Sequence, residues 1–424
     1  MVRLLPRQMS VWQELEGVRA RVFGRPLGLI GEASWRAYVS GTRQQAGAGM
    51  GIEDPTAVGA RRAVRPAFSR EEGFRKALVR EVNAYFRRTG QSPYADRRMY
   101  AKTAVTALWF AGSYVALVFV AATVWQAVLS GLSLAFATAA VGFNVQHDAN
   151  HGAYSKSRRV NHLIGLTLDL LGGSSYIWRA KHNVFHHAYT NIDGADSDID
   201  LGPLARLSPE QPRKRLHKFQ SWYLWLLYGF LLPVWHFYRD FGCLATGRIG
   251  QHNFPRPKGW PLFELLAGKL LFFGYALLIP MLFHPIWVVL LLYGFTVTVV
   301  GLVLSTVFQM AHCVEEAAFR AAPLPRQQIA SSWSTHQVET TVNFACENRF
   351  LSWYLGGLNF QIEHHLFPRI CHVHYPSIAP IVQKVCAEFG VAYKAHATMR
   401  DALLSHLRWL RHLGHPALQN NSGE

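Results

Sequence analysis

Cysteine is scarce in this chain of 424 residues: Cys243, Cys313, Cys346, Cys371 and Cys386 make five, an odd number, with no C-x-x-C among them. This excludes a disulfide framework and a thiolate-ligated zinc module, and it reads as reduced thiols filling core space on a cytosolic side. Acidic residues are also short, 26 against 43 Lys and Arg, leaving a formal charge of +17 and a pI near 9.9. Such an excess suits an anionic counterpart: acidic phospholipid, an acidic electron-donor protein or nucleic acid. Nucleic acid is set aside, because no basic helix or aromatic RNA-binding platform accompanies the charges. Residues 1–66 hold no apolar run long enough for a secretory signal. Their stretch 41–65, GTRQQAGAGMGIEDPTAVGARRAVR, is too polar and Gly/Ala-rich to order itself. A flexible basic leader is therefore expected over 1–66, with Met50 an alternative start, followed by one domain over 67–415 and a disordered tail over 416–424.

What the chain has in plenty is apolar surface. Half its residues are hydrophobic, with 13 Trp and 26 Phe, and the mean hydropathy is +0.06. That is too apolar for an ordinary soluble enzyme and too charged for a protein wholly within a bilayer. Residues 104–145 carry no charge, and at roughly 20 residues per crossing they divide into two spans, near 104–123 and 126–146. The Ser130-Gly131 pair is the candidate break. A second pair is expected at 262–283 and 286–310, hinged at His284-Pro285, with Lys269 its one basic residue. The links within each pair lack Lys and Arg, so both termini and both large loops are expected on the cytoplasmic side. The aromatic segment 219–241 is long enough to cross. Its Pro233, His236, Arg239 and Asp240 suit the headgroup interface better. Ser69 is a candidate cap for a helix bearing Phe74, Leu78, Val79, Val82 and Phe86 on one side, lying along the membrane surface.

Seven histidines fall into three packets separated by long apolar runs: His147-Asp148-Ala149-Asn150-His151, His182-Asn183-Val184-Phe185-His186-His187, and Gln361-Ile362-Glu363-His364-His365. On an α-helix, residues four apart share a face, so His147 with His151 and His182 with His186 can each aim two nitrogens at one point. His187 lies about 100° round from His186, so an adjacent pair tends to serve two targets. Seven imidazoles exceed the four ligands of a structural zinc, and two metals fit better than one. Thiolate-free imidazole coordination suits iron, copper, nickel or zinc, and softness alone leaves these open.

The packets, read as HDANH, HNVFHHAYTN and GGLNFQIEHHLFP, resemble those of the membrane-bound fatty acid desaturases, and the glutamine opening the third resembles their front-end branch. The likeness extends to Tyr189-Thr190-Asn191, Thr340-Thr341-Val342-Asn343-Phe344 and His374-Tyr375-Pro376. It implies an all-α integral membrane protein of the bacterial inner-membrane type. Four transmembrane helices in two hairpins would stand beneath a cytoplasmic helical cap holding a di-metal site. It implies two non-haem irons, dioxygen as co-substrate, and insertion of a cis double bond into a lipid acyl chain, delta-6 on linoleoyl-type substrates being the commonest such reaction. The implied ligands are His147, His151, His182, His186, His187, His364, His365 and Gln361. His312, at the end of the fourth span, joins them by a more distant likeness to stearoyl-type desaturases. The branch often carries a fused b-type cytochrome marked His-Pro-Gly-Gly; that string is absent here. Electrons are therefore expected from a ferredoxin or a separate b-type cytochrome.

Around the packets, Asp148, Asp169 and Glu363 are candidates to orient ligand imidazoles, since an unpaired carboxylate in an apolar run is costly. Trp178, Arg179 and Lys181 are candidates for lipid headgroup contact. Asp193, Asp196, Asp198 and Asp200 read as Asx turns on a solvated loop. His336, His372 and His374 lack ligand spacing and read as structural. Two rival functions share these features: a di-iron lipid hydroxylase or sphingolipid desaturase, and a metal transporter. Transporters place ligands near the bilayer midplane, whereas these stand at or beyond span ends.

Overall fold

In the computed structural model of the chain, residues 66–70, 73–323 and 328–415 are described. The leader expected over 1–66, Pro66 apart, and the tail over 416–424 lie outside the described residues. Those described are mostly helical, and the three strand pairs among them are only two residues long on each side.

Four helices are long and apolar enough to cross a membrane: α2 (Arg97–Val120), α3 (Val124–His151), α4 (Trp260–Met281) and α5 (Ile286–His312). At 1.5 Å per residue the shortest is about 33 Å long, enough for a hydrocarbon core. Their outward faces carry exposed Leu108, Trp125, Leu270, Trp287 and Leu291, the surface a bilayer would cover. The break between the first two lies at 121–123 and not at Ser130-Gly131. Thr123 accepts from Gln126 N at 3.3 Å, and Gln126 Oε1 accepts from Thr123 N at 3.1 Å, a reciprocal cap that starts α3. Gly131 instead lies mid-helix, where a Cβ would meet Phe295 and Thr296 of α5 at 3.4 Å. Small residues there let α3 and α5 approach.

Helix α1 (Phe74–Thr89) precedes them, and its cap is Gly73 at φ 92°, without a side-chain bond. Ser69 does not cap it; its amide donates to Ile329 O at 3.0 Å. The apolar face foreseen is present, but it is covered by protein: Phe74, Leu78, Val82 and Phe86 share a core with Ile378, Val382 and Val385 of α6 (Tyr375–Glu388). The aromatic segment runs as a bent helical chain from Gln220–Gly229 to Asp240–Thr246. It crosses α5 so closely that a Cβ at Gly301 would meet Tyr228 O at 2.6 Å. Trp222 and Tyr238 of the segment are exposed. Lys269, buried in α4, pairs with Asp240 Oδ2 of this segment at 2.8 Å and donates to Gly172 O at 2.6 Å. Helix α7 (Met399–Gly414) closes over the same segment and α5.

Candidate metal centre

The histidine packets sit where helices end or loosen. A wider π-turn, Gly142–Gln146, carries α3 into His147–His151. The second packet lies on a π-wound run, Arg179–His186, completed by His187–Tyr189. Hydrogen bonds reaching five residues change which side chains share a face, and such windings recur at functional sites. His182 Nε2 lies 3.3 Å from His187 Nε2, five residues on, and His182 and His186, four apart, also hold donor atoms within 4.8 Å of each other beside Asp198.

The structure gathers eight histidines. His147, His151, His182 and His364 hold possible donor atoms within 4.8 Å of one another, as do His186, His312 and His365, and also His187, His364 and His365. His312 reaches the cluster from the end of α5, with its ring 4.8 Å from that of His186 and 4.9 Å from that of His365. All eight are buried. His364 falls with the first packet and His365 with His186 and His312, while both also meet His187. Gln361 is buried beside His312, its amide donating to Leu358 O at 2.7 Å. Its Oε1 has no hydrogen-bond partner.

At His364 and His365 one ring nitrogen is held and the other is not, the pattern of metal-binding imidazoles. His186 Nδ1 donates to Asp196 Oδ2 (3.1 Å), His365 Nδ1 to Gln337 Oε1 (2.8 Å) and His312 Nδ1 to Thr340 O (3.4 Å). His364 Nδ1 lies 3.4 Å from Tyr375 OH. The Nε2 atoms of His147, His364 and His365 and Nδ1 of His187 are buried without hydrogen-bond partners. Such orphaned polar atoms are costly unless something fills the space between them, and a metal ion would. Burial and the neighbouring imidazoles hold His182, His187, His364 and His365 well below the usual histidine range, so their lone pairs are free to coordinate. At His186 burial pulls down, but the charges of Asp196 and Asp198 and the Asp196 hydrogen bond more than offset it, and the ring is held above its usual value.

The other sequence-predicted residues are placed differently. Asp169 accepts from Ser175 N at 3.2 Å, fixing the start of the second-packet helix rather than an imidazole. Burial, only partly countered by Ser175 and Arg179, pushes it up to about 6. Glu363 accepts from Asn343 Nδ2 (2.8 Å) and Tyr393 OH (2.9 Å), so it anchors the third packet's helix, Gln361–Leu366, from behind. Asp148 is bound by His372, not by a ring of the cluster. Trp178, Arg179 and Lys181 each have a partner within the protein. Trp178 is buried and stacks on His182 at 4.4 Å, Arg179 donates to Asn150 Oδ1 at 3.0 Å, and Lys181 pairs with Asp198.

Sequence reasoning missed Asp196 and Asp198. Asp196 does make the Asx turn, accepting from Asp198 N at 2.9 Å, but it is buried and its other oxygen takes His186 and Asn191 N. Burial raises Asp198, yet Lys181 and His186 outweigh it and hold the carboxyl well below its ordinary range. Gln337 was missed too, as it carries no motif. The extended motifs find reasons here: Thr190 Oγ1 donates to His186 O (2.8 Å), Asn191 Nδ2 to His312 O (2.8 Å), and Ile362 N to Asn343 Oδ1 (2.9 Å).

A bundle of bilayer-length helices with a buried imidazole cage at the ends of two of them defines a membrane protein equipped for metal-dependent chemistry. Residues 122–397 match the fatty acid desaturase family, and the chain belongs to that family. It is 41% identical to the sn-1 linoleoyl-lipid 6-desaturase of Arthrospira platensis over 348 residues, 81% of this chain and 93% of that one. To the protein of the same name from Synechocystis sp. it is 39% identical over 353 residues, 83% and 98% of the two chains. The acyl-lipid (8-3)-desaturase of Physcomitrium patens is 36% identical over 353 residues, 82% of this chain and 73% of that one. The protein is thus a membrane fatty acid desaturase, an oxidoreductase.

Proposed function

We propose that this desaturase inserts a cis double bond between an existing double bond and the carboxyl end of a lipid-bound acyl chain, delta-6 on linoleoyl groups, using dioxygen and two non-haem irons. The buried cage of eight imidazoles, with Nε2 of His147, His364 and His365 lacking hydrogen-bond partners, carries the reading, and the names of the relatives from Arthrospira platensis and Synechocystis sp. supply the position. His147, His151, His182 and His364 would hold one ion, His186, His312 and His365 the other, with His187 and Gln361 between or beside them. The irons, when bound, supply the oxidising power that removal of hydrogen from an unactivated methylene demands and that no side chain provides.

The chain's own part is position. Asp196, Gln337 and Thr340 orient the rings, and the buried surroundings keep water from the oxidising centre. An apolar cavity of about 250 Å³ between the four long helices, lined in part by Phe110, Leu134, Phe272, Leu292 and Val297, suits an alkyl tail. The four helices form two hairpins across a bacterial inner membrane, the residues from 67 to 415 acting as one unit with the cage and both termini cytoplasmic. This is supported by the absence of Lys and Arg from 121–123 and 282–285, by exposed Arg87, Arg88 and Arg97 at or before the start of α2, and by exposed Lys156, Arg158 and Arg159 just after the first packet. The same charges suit an acidic ferredoxin as electron donor.

The test is expression in a host fed linoleate, with mass analysis of its fatty acids. The product expected is two hydrogens lighter with a new double bond at carbon 6. A product one oxygen heavier would identify a hydroxylase, and metal uptake by vesicles without change in lipid would identify a transporter.

A further inference from the structure

A second buried polar knot lies outside the cage. It joins Lys102 of α2, Asp148 between the two histidines of the first packet, and Cys371 and His372 beyond the third. Asp148 Oδ2 accepts twice from His372, from the backbone amide at 3.1 Å and from ring Nδ1 at 2.9 Å. On the other side of that ring, Lys102 Nζ stands 2.8 Å from Nε2. The protons follow from the partners: the ammonium can only donate, so Nε2 accepts, and Nδ1–H donates to the carboxylate. His372 thus bridges a buried cation and a buried anion as a neutral imidazole.

Asp148, Cys371 and His372 hold their donor atoms as close together as a metal site would, but the lysine ammonium already supplies the positive charge there. A second cation would meet it at short range in a low-dielectric interior. The knot is therefore a fastener, and what it fastens is specific. Asp148 shares one five-residue turn with His147 and His151, so holding its carboxylate fixes the rotation of that turn. His372 follows the helix bearing His364, the ring nearest His147 at 4.6 Å. Lys102 ties both to the first long helix.

We infer that Lys102, Asp148 and His372 are positioning residues that lock the first histidine pair to the third packet, and that the ion held by His147, His151, His182 and His364 depends on them while the other does not. This rests on the ligand set proposed above. The test titrates ferrous iron alone, anaerobically and against a competing chelator, into the full-length apoprotein in detergent, for the wild type, His372→Ala, His372→Asn, Lys102→Met and His182→Ala. His372→Ala is expected to weaken one of the two ions roughly 10- to 100-fold, the usual effect of losing an outer partner, leaving the other within about threefold. Lys102→Met is expected to weaken the same ion. His372→Asn, whose amide can donate from the place of Nδ1, is expected to recover most of the loss. Should His372→Ala fail to fold, His372→Asn and Lys102→Met still decide the matter. Wild-type titrations in both, or equal loss of both ions, would overturn the inference. An unchanged titration in His182→Ala would instead overturn the ligand set, and the lock with it.

Discussion

Asp196 offers a direct probe of how the cage is held. One oxygen accepts from His186 Nδ1 at 3.1 Å and from Asn191 N at 3.0 Å, the other from Asp198 N at 2.9 Å. Replacement by alanine leaves three donors in a buried space, and at roughly 1 kcal/mol or more for each the folded apoprotein should lose about 3 kcal/mol. Asparagine keeps an acceptor for His186 but removes the charge that lifts this ring above its usual basicity. A carboxylate behind a coordinating imidazole contributes about 10- to 100-fold to metal affinity, or roughly 1.4 to 2.8 kcal/mol. Asp196→Asn should therefore release iron to a chelator at a concentration 10- to 100-fold lower than the wild type does, with little change in the apoprotein's melting. Asp196→Ala should show the same release and a lower melting midpoint as well. If Asp196→Asn holds iron as the wild type does, or Asp196→Ala melts with it, Asp196 is a loop residue and the reasoning fails.

Two further outcomes follow from the buried charges. Burial raises Asp169 from an ordinary 3.8 to about 6, so between those pH values the folded chain keeps a proton that the unfolded chain has lost. Stability should fall as pH rises through that window, by about 3 kcal/mol for two units. Asp169→Asn, which still accepts from Ser175 N, should show a flatter melting profile between pH 4 and 7 and exceed the wild type at pH 7; an equally steep profile would contradict this. Lys269→Ala strands Asp240 inside the protein and should cost about 3 to 5 kcal/mol, whereas Lys269→Met with Asp240→Leu should recover most of it. Thermal inactivation of the two proteins in detergent compares them, and equal losses would count against the pairing.

The features legible in the sequence were those that repeat over many neighbouring residues. Uninterrupted apolar runs marked the four long helices, and close-set histidines marked the cage, because each signal is local and redundant. The spans expected at 104–123 and 126–146 put the first turn close to the observed one, but the break itself was assigned to Ser130-Gly131, because Gly131 signals a break as strongly as Thr123 signals a start and only α5 packed against Gly131 explains the glycine. The winding of the second packet was hidden, since nothing in Arg179–His186 distinguishes a π-turn from an α-turn, and that winding pairs His182 with His187. Partners distant in the chain were hidden too. Asp148 finds His372 across 224 residues and His365 finds Gln337 across 28, and such bonds depend on how helices are stacked. Asp196 shows the same limit at short range: its turn was readable, its second oxygen was not.

The claim on which the rest depends is that eight imidazoles enclose a pair of metal ions. Metal analysis of the protein purified anaerobically with ferrous iron, alongside His182→Ala and His365→Ala, tests it most directly. The account predicts two irons per wild-type chain with the magnetic coupling of a close pair, and a different single ion weakened in each variant. One uncoupled iron per chain, or two retained unchanged in both variants, would contradict it.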